Sequence, residues 1–249
     1  MSKLCVFGTI GNAGMSFTDA TKANLVKMYD YTCTCDDVVD YAMFQKKISE
    51  NCDVSESNVR MYSPFLYAHG FINDYKNGAQ IKTSEYFTSL GKAFVKSLIV
   101  TSKIENKVCQ EKSLKITQDI LALSMLHRKI NRQKDYYFDF LMFCLKYGSI
   151  SLNEFNYMLY EKEVIGNEDY VERISETIRQ FRDNEIDFDF QQDRNSKKGE
   201  RVRKPLPDNT FNYTRNLLVE TGLIVETNDR RYKINPDKMR VVRILVEED

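Results

Sequence analysis

The sequence predicts a mainly α-helical protein with short β-hairpins, organised as two winged-helix-like subdomains. The main observation is a pattern that occurs twice, in which an apolar helix ends at a glycine, two short β-runs follow, and a new helix begins. The two copies are FLYAHGFINDYKNGAQIKTSEYFTSLGKAF (65–94) and NLLVETGLIVETNDRRYKINPDKMRVVRIL (216–245). Gly70 and Gly222 stand where glycine commonly follows a helix C-terminus. Asn-Gly or Asn-Asp marks the tip of each hairpin.

Composition limits the possible functions. At 249 residues the chain can form one large domain or two of ordinary size. Its formal net charge is zero, so any attraction to nucleic acid has to come from local clusters of charge. There is no secretory signal and no apolar run near the ~20 residues that span a bilayer. The six cysteines are scattered, and we expect a reduced, cytoplasmic protein without a membrane contact.

The first subdomain is assigned to residues 1–102 and includes a glycine-punctuated N-terminal arm. Apolar residues recur at helical spacing in three segments before the first hairpin. The first is expected to begin at a Ser16 or Thr18 cap and to run to about Tyr31. The second covers 36–50, and the third runs from Asp53, Ser55 or Ser57 to His69, with a kink or late start caused by Pro64. Thr83 or Ser84 is expected to open the helix after the hairpin.

A polar, lysine-rich stretch at 103–115 is interpreted as a linker, and the second subdomain is assigned to 116–249. Helices are expected at 116–130 and 136–147, then from a capping-type sequence at Ser151, and at 167–182. The pattern then stops, and 184–207 is interpreted as a basic insertion. The last helix before the second hairpin is expected to start at Asp208.

The insertion contains the most basic run of the chain, RNSKKGERVRKP (194–205). Taken alone, such a run is typical of a solvated loop. Here it leads into the third helix of the second subdomain, where DNA phosphates would lie, and this position favours phosphate contact. The candidates are Arg194, Lys197, Lys198, Arg201, Arg203 and Lys204.

The third helix of the second subdomain is the stronger candidate for contact with bases. A winged helix presents this helix to the major groove, where asparagine suits adenine edges and arginine suits guanine edges. Phe211, Leu217, Leu218 and Thr221 are expected to face inward. The outward candidates are Asn209, Asn212, Tyr213, Arg215 and Asn216. An ordinary solvated helix face is the alternative, but asparagine is a mediocre helix former. The following wing adds the phosphate candidates Arg230, Arg231 and Lys233.

The first subdomain carries a less basic set. Ser57, Asn58 and Arg60 on its third helix are candidates for contact with bases. Lys76 in its wing and Asn12 in the N-terminal arm are candidates for contact with phosphates.

The order of these segments resembles the DNA-recognition region of FokI-type (type IIS) restriction endonucleases and their nicking relatives. Phe7-Gly8 followed by Asn12-x-Gly14 is similar to the start of that region, and MYSPFLYAHGFINDY with TSEYFTSLGKAF resembles its first winged unit. FDFLMFCLKYGSISLNEFNYML, VERISETIRQFRDNE and YTRNLLVETGLIVETNDRRYKINPDK are similar to the second. The resemblance covers nearly the whole chain, and the order of the segments is more specific than any single motif.

This resemblance implies a module that recognises an asymmetric double-stranded DNA site as a monomer, in a bacterial cytoplasm. In the family, a separate domain cleaves DNA with carboxylates and Mg²⁺, and we expect that domain to be absent from this chain. Its acid and Glu-x-Lys or Asp-x-Lys set is not found, so no catalytic residue is assigned. Neither a cofactor nor a metal is expected here, because Cys33-x-Cys35 lacks the spacing of a zinc site.

Two other classes of function remain open from the sequence. A tandem winged-helix transcription regulator would bind a palindromic site as a two-fold dimer. A protein-interaction scaffold would stack its winged units without touching DNA, which the zero net charge allows.

Overall fold

One arrangement of helices and strands occurs in both halves of the chain. The protein is described by a computed structural model, which covers residues 2–7, 17–73, 75, 78, 80–128, 136–166, 169–195, 201–205 and 209–246. For residues 2, 5, 7, 192–195 and 201–205 only the backbone is described. The described chain is mainly helical with short strands, which confirms the predicted fold class.

The first half contains four helices and a small sheet. In chain order its elements are β1 (Ser2–Phe7), α1 (Asp19–Thr34), β2 (Val38–Asp40), α2 (Tyr41–Cys52), α3 (Glu56–Ala68), β3 (Gln80–Lys82) and α4 (Ser89–Lys103). β2 pairs antiparallel with β3, and a single bridge joins Ile72 to Phe87.

Side-chain caps explain where these helices begin. Thr18 and Ser55, both predicted as caps, accept hydrogen bonds from backbone N–H groups in the first turns of α1 and α3. Of the two alternatives predicted for Pro64, a kink or a late start, the late start was wrong, because α3 begins at Glu56 and continues through Pro64. α2 begins later than predicted, capped by Asp40, because the residues before it pair with β3. α4 also begins later, capped by Thr88, because Thr83–Glu85 form a 3-10 turn.

The second half repeats the arrangement with an insertion. Its elements are α5 (Lys107–Arg128), α6 (Tyr136–Tyr147), α7 (Leu152–Tyr160), α8 (Tyr170–Arg173), α9 (Ser175–Arg182), β4 (Ile186–Asn195), β5 (Arg201–Pro205), α10 (Asn209–Glu220), β6 (Ile224–Glu226), β7 (Tyr232–Ile234) and α11 (Met239–Val246). A π-helical turn, Glu161–Ile165, extends α7, and a 3-10 turn, Pro236–Lys238, leads into α11.

The two halves share their strand pairing. In the first, β2 follows α1 and pairs with β3 after the third helix. In the second, Ile150 follows α6 and bridges to Tyr232 of β7, which also pairs with β6. In each half, a strand position between two helices, α1 and α2 or α6 and α7, therefore pairs with a strand that follows a later helix, α3 or α10. The hairpin predicted in the second copy of the sequence pattern is formed by β6 and β7. The hairpin predicted in the first copy is not formed by the described residues, because β3 pairs with β2 and Ile72 bridges to Phe87.

The N-terminal arm and the insertion form a sheet together, which differs from the prediction. β1 pairs in parallel with β4, and β4 pairs antiparallel with β5, in the order β1-β4-β5. β1 therefore joins the insertion of the second half, although it was assigned to the first subdomain. The alternating run IDFDF at 186–190 carried a period-two strand signal. Phe188 is buried by stacking against Tyr157 and Phe181, at centroid distances of 4.8 and 4.7 Å.

The stretch predicted as a linker, 103–115, is largely helical. α4 ends at Lys103 and α5 begins at Lys107, so only 104–106 connect them. The two helices pack closely, and Thr101 Oγ1 lies 2.7 Å from Ser113 Oγ, while the Thr117 hydroxyl donates to Ser97 Oγ at 3.0 Å. Ser113 and Thr117 are therefore buried at a contact between two helices, where small hydroxyl side chains hydrogen-bond to one another.

α5 contacts both winged units. Gly70 and Gly222, the two glycines of the repeated pattern, each have φ of +67° and each face α5. A Cβ on Gly70 would meet the His127 ring at 2.8 Å, and one on Gly222 would meet Gln118 at 3.3 Å. The buried apolar residues of both halves form one continuous cluster. The chain therefore packs as two similar units against a shared helix.

Candidate nucleic-acid interface

α10 has the two faces that the sequence predicted. Its inward residues Phe211, Leu217 and Leu218 are buried, as is Thr221 just beyond its end. Thr210 and Thr214 are also buried on this face. Among the outward candidates, Asn209 is exposed, while Asn212, Tyr213, Arg215 and Asn216 are half-buried. The predicted base-contacting set therefore lies along one side of one helix, with the beginning of the helix more open than its middle.

Arg215 connects α10 to the wing. Its Nη1 donates a hydrogen bond to the Tyr232 hydroxyl, and its guanidinium lies 5.4 Å from the centre of the Tyr232 ring. Its Nε donates to Asn212 Oδ1 at 3.2 Å. Asn212 and Arg215 are therefore coupled. Either side chain has to exchange an internal hydrogen bond for one to a base edge if it contacts DNA.

The second half of the outward face lies opposite the start of α1. Arg215 and Asn216 line a cleft of about 430 Å³ together with Thr18 and Asp19. Glu220 closes this region through an ion pair with Lys22, at 2.8 Å between Oε2 and Nζ. The cleft also contains the carboxylates of Asp19, Glu220 and Glu226, which oppose a phosphate backbone. The open, uncharged beginning of α10 is therefore the better part of the helix for base contact.

The wing of the second unit presents two free cations. Arg230 and Lys233 are exposed, and neither forms an ion pair with any residue that the structure describes. Arg230 lies in the turn between β6 and β7 with φ of +59°. Asp229 beside it is held by the Thr227 hydroxyl, which lowers the pKa of its carboxyl. This geometry fits the predicted phosphate role of Arg230 and Lys233.

Arg231, the third wing candidate, points into the protein. Its Nη2 donates to Glu154 Oε2 at 2.5 Å, and its Nε donates to Ser149 Oγ at 2.8 Å. Glu154 is fully buried, so the Arg231 guanidinium forms an ion pair with a buried carboxylate. Sequence alone could not find this pairing, because the two residues are 77 positions apart and the wing contains three basic side chains.

The basic insertion forms the hairpin β4–β5. Its register pairs Arg194 with Val202, Asp193 with Arg203, and Gln192 with Lys204, with Arg201 opposite Asn195. Only the backbone of Arg194, Arg201, Arg203 and Lys204 is described, and Lys197 and Lys198 lie outside the described residues. Within the predicted basic insertion, Arg194, Arg201, Arg203 and Lys204 thus lie on two paired strands that precede α10.

The first unit places its candidates at the beginning of α3. Ser57 and Arg60 are exposed, and Asn58 is half-buried. Ser57 Oγ lies 3.0 Å from Oγ of Ser55, which also caps the helix by accepting from the Asn58 N–H. Lys76 and Asn12 lie outside the described residues.

Two buried carboxylates organise the second unit, and sequence reasoning assigned neither. Glu154 joins Arg182 and Arg231. Asp139, only 3% exposed, accepts hydrogen bonds from Lys162 Nζ at 2.6 Å and from the Tyr170 hydroxyl. The capping-type sequence at Ser151 indicated a helix start, and Glu154 completes that capping box. Its two arginine partners come from distant segments and left no local signal.

The described residues contain no group of three or more His, Cys, Asp or Glu side chains arranged to hold a metal ion. Over the same residues, every helix is too short or too polar to cross a bilayer. No protein-family model, curated protein or solved structure matches this chain.

Proposed function

We propose that this chain is a sequence-specific recognition module for double-stranded DNA, of the kind that type IIS restriction or nicking endonucleases use to find an asymmetric site. One observation carries the proposal. Arg215 on α10 lies against Tyr232 on β7, so the outward face of α10 adjoins a wing with exposed Arg230 and Lys233. A helix for the major groove beside a hairpin for the backbone is the arrangement that such recognition requires.

The side chains divide into two roles. Contacts to phosphates supply affinity without sequence information, whereas contacts to base edges select a sequence. Arg230 and Lys233 belong to the first role, together with the basic residues of the β4–β5 hairpin, Arg194, Arg201, Arg203 and Lys204. Asn209, Asn212 and Tyr213 at the open beginning of α10 belong to the second. Arg231 is removed from the phosphate set, because its charge is paired with Glu154.

The first unit has a supporting role in this proposal. Ser57 and Arg60 are exposed on α3, which is the third helix of that unit and corresponds to α10. The two units share α5, so the direction of one helix constrains the direction of the other. We infer that α3 contacts DNA next to the site bound by α10.

The proposed chemistry of this chain is binding. In a whole endonuclease of this type, Mg²⁺ and the bond-breaking carboxylates would belong to a cleavage domain. The proposal also places the chain in a bacterial cytoplasm, where it binds DNA as a monomer.

The proposal is tested by selecting ligands from random DNA duplexes and then measuring Kd against salt concentration. Arg230→Ala and Lys233→Ala should each weaken binding to all sequences and reduce the slope of log K against log salt by about 0.9. Arg243→Ala is the matched control, since Arg243 is an exposed arginine of α11, outside the wing. It should leave the slope unchanged. Equal effects of all three variants, or no duplex bound at low salt, would contradict the proposal.

Sedimentation with the selected duplex distinguishes the other classes of function. One protein on an asymmetric site supports the proposed module. Two proteins on a palindrome would indicate a transcription regulator, and a monomer that binds no duplex would indicate an interaction scaffold.

A further inference from the structure

We propose that Glu154 is a positioning residue that sets the directions of both basic segments of the second unit, the wing and the β4–β5 hairpin. The inference rests on the proposed DNA recognition. Glu154 acts through two arginines, Arg182 and Arg231, that lie at the bases of these segments.

Glu154 lies at a fixed point of the fold. It is fully buried in the first turn of α7, where Oε2 accepts the backbone N–H of Ser151 at 2.7 Å in the capping box. In the same capping box, the backbone N–H of Glu154 donates a hydrogen bond to the Ser151 hydroxyl. The carboxylate is therefore anchored to the helix that carries it before any arginine is considered.

Arg231 connects this carboxylate to the wing. Besides its bond to Glu154, its guanidinium donates to both the hydroxyl and the carbonyl of Ser149, at 2.8 and 3.3 Å. Tyr232, the next residue, is paired with Ile150 through two backbone hydrogen bonds of 2.8 and 2.9 Å. The exposed cations Arg230 and Lys233 flank this anchored pair, so their directions follow from where Arg231 is held.

Arg182 connects the same carboxylate to the basic hairpin. Its Nε donates to Glu154 Oε1 at 2.6 Å, and its terminal nitrogens donate to the Tyr147 and Ser149 carbonyls at 2.8 and 2.6 Å. Arg182 is the last residue of α9, and β4 begins at Ile186. The start of the strand that carries the basic run is thus fixed to the same point as the wing.

The charges of Glu154, Arg182 and Arg231 support the inference that one carboxylate fixes both segments. Two guanidinium groups converge on one buried carboxylate, and each uses several donors in a fixed geometry. Removing the carboxylate charge leaves two partly buried cations that repel each other and are drawn toward solvent. The wing and the start of β4 would then move together, and the spacing between their phosphate contacts would change.

The closing experiment uses Glu154→Gln with Asp139→Asn as its matched control. Both variants neutralise a buried carboxylate of the second unit, but the Asp139 contacts with Lys162 and Tyr170 join α6 to the π turn and α8. On the selected duplex, Glu154→Gln should reduce the salt slope by about one to two units, equivalent to one or two phosphate contacts. It should also weaken binding at least tenfold, while Asp139→Asn keeps the slope of the unmodified protein.

A second variant keeps the inference testable if the Glu154→Gln protein does not fold. Arg231→Lys keeps the positive charge but loses the forked geometry, so a lower slope in this variant reports position and not charge. Unchanged slopes in both Glu154→Gln and Arg231→Lys would overturn the inference.

Amide hydrogen exchange separates this inference from the proposed function. Glu154→Gln should speed exchange at Tyr232 and along β6–β7, and Asp139→Asn should not. If the unmodified protein binds no duplex, DNA recognition fails while exchange still tests the anchoring. If it binds duplex and exchange in the wing is unaffected, the anchoring fails while DNA recognition stands.

Discussion

Nδ1 of His69 lies 2.6 Å from the Ser124 hydroxyl, and this contact joins the end of the third helix of the first unit to α5. The Ser124 hydroxyl also donates to the Leu121 carbonyl at 2.6 Å, so its oxygen is left to accept from Nδ1–H. Nε2 is then unprotonated and buried, with no hydrogen-bond partner among the residues that the structure describes. The ring packs against Phe65 and Phe71, at 4.4 and 5.6 Å between ring centres. His69 is thus a neutral core histidine.

This environment predicts a pH-dependent stability. Burial lowers the pKa of His69 well below its ordinary value, and the charges of Arg128 and His127 add to this effect. Above about pH 6.5 the stabilisation is fully present. At lower pH the His69 imidazole is protonated in the unfolded chain but stays neutral in the folded protein. The free energy of unfolding therefore falls by up to about 1.4 kcal/mol per pH unit.

Urea unfolding between pH 7.5 and 5 measures this effect. His69→Gln should flatten the dependence, and His127→Gln should keep most of it, because burial is the largest cause of the lowered His69 pKa. These are the only two histidines of the chain, so the pair of variants is a complete comparison. An equal pH dependence in the His69→Gln protein and the unmodified protein would contradict the assignment.

Gly91 is expected to be the glycine least tolerant of substitution among those described. A Cβ at this position would lie 1.9 Å from the Phe71 carbonyl oxygen, which is backbone and is also held by the Thr88 N–H at 3.0 Å. Gly91→Ala should therefore lower the free energy of unfolding by more than about 3 kcal/mol.

Gly148→Ala provides the comparison in the same unfolding measurement. Gly148 has φ of +80° but open space around its Cβ position, so only the backbone strain of about 1–2 kcal/mol applies. Similar losses for the two variants would show that the approach of α4 to Phe71 is looser than described.

Base selection is expected to depend on the beginning of α10. Asn209→Ala and Asn212→Ala should relax preference at individual base pairs of the selected site, each by about 1–3 kcal/mol, with little change in salt slope. Val219→Ala is the control, because Val219 is exposed on α10 in the acidic cleft, away from the beginning of the helix. Competition binding with singly substituted duplexes measures the effect. Uniform weakening across all duplexes would assign these asparagines to phosphate contact.

The contact between the two units predicts a measurable coupling. Lys22 of α1 and Glu220 of α10 form an ion pair in which their side chains are 20% and 31% exposed. A double-mutant cycle with Lys22→Met and Glu220→Gln should give about 0.2–1 kcal/mol of coupling in unfolding free energy. The Lys22–Asp19 pair, at 3.3 Å with Asp19 fully exposed, should couple more weakly. Zero coupling at Glu220 would mean that the two helices do not meet in solution.

Much of the fold was predictable where the signal is local. Thr18, Ser55 and the Ser151–Glu154 capping box each act within one helical turn, so their residue types indicate helix starts directly. Gly70 and Gly222 indicate helix ends for the same reason. The linker prediction was wrong because most of the polar, lysine-rich stretch 103–115 is the mostly exposed beginning of α5, which contacts α4 through the buried Ser113 hydroxyl.

The candidate site was only partly predictable. The inward and outward faces of α10 follow from helical spacing, and the burial of Phe211, Leu217 and Leu218 confirms the assignment of the inward face. The different fates of Arg230, Arg231 and Lys233 do not follow from spacing, since any of the three could have met a buried acid. Glu154 pairs with Arg231, and this pairing depends on where α7 lies relative to the wing.

The sequence by itself determined the helix–glycine–hairpin pattern of the second unit, the helix starts at Thr18, Ser55 and Ser151, and the location of the basic run, because these depend on neighbouring residues. Only the tertiary structure decided that β1 pairs with β4, that the predicted linker belongs to the helix joining both units, and which wing arginine remains free. The physical reason is that strand pairing and buried ion pairs connect residues far apart in the chain, and their partners are chosen by packing.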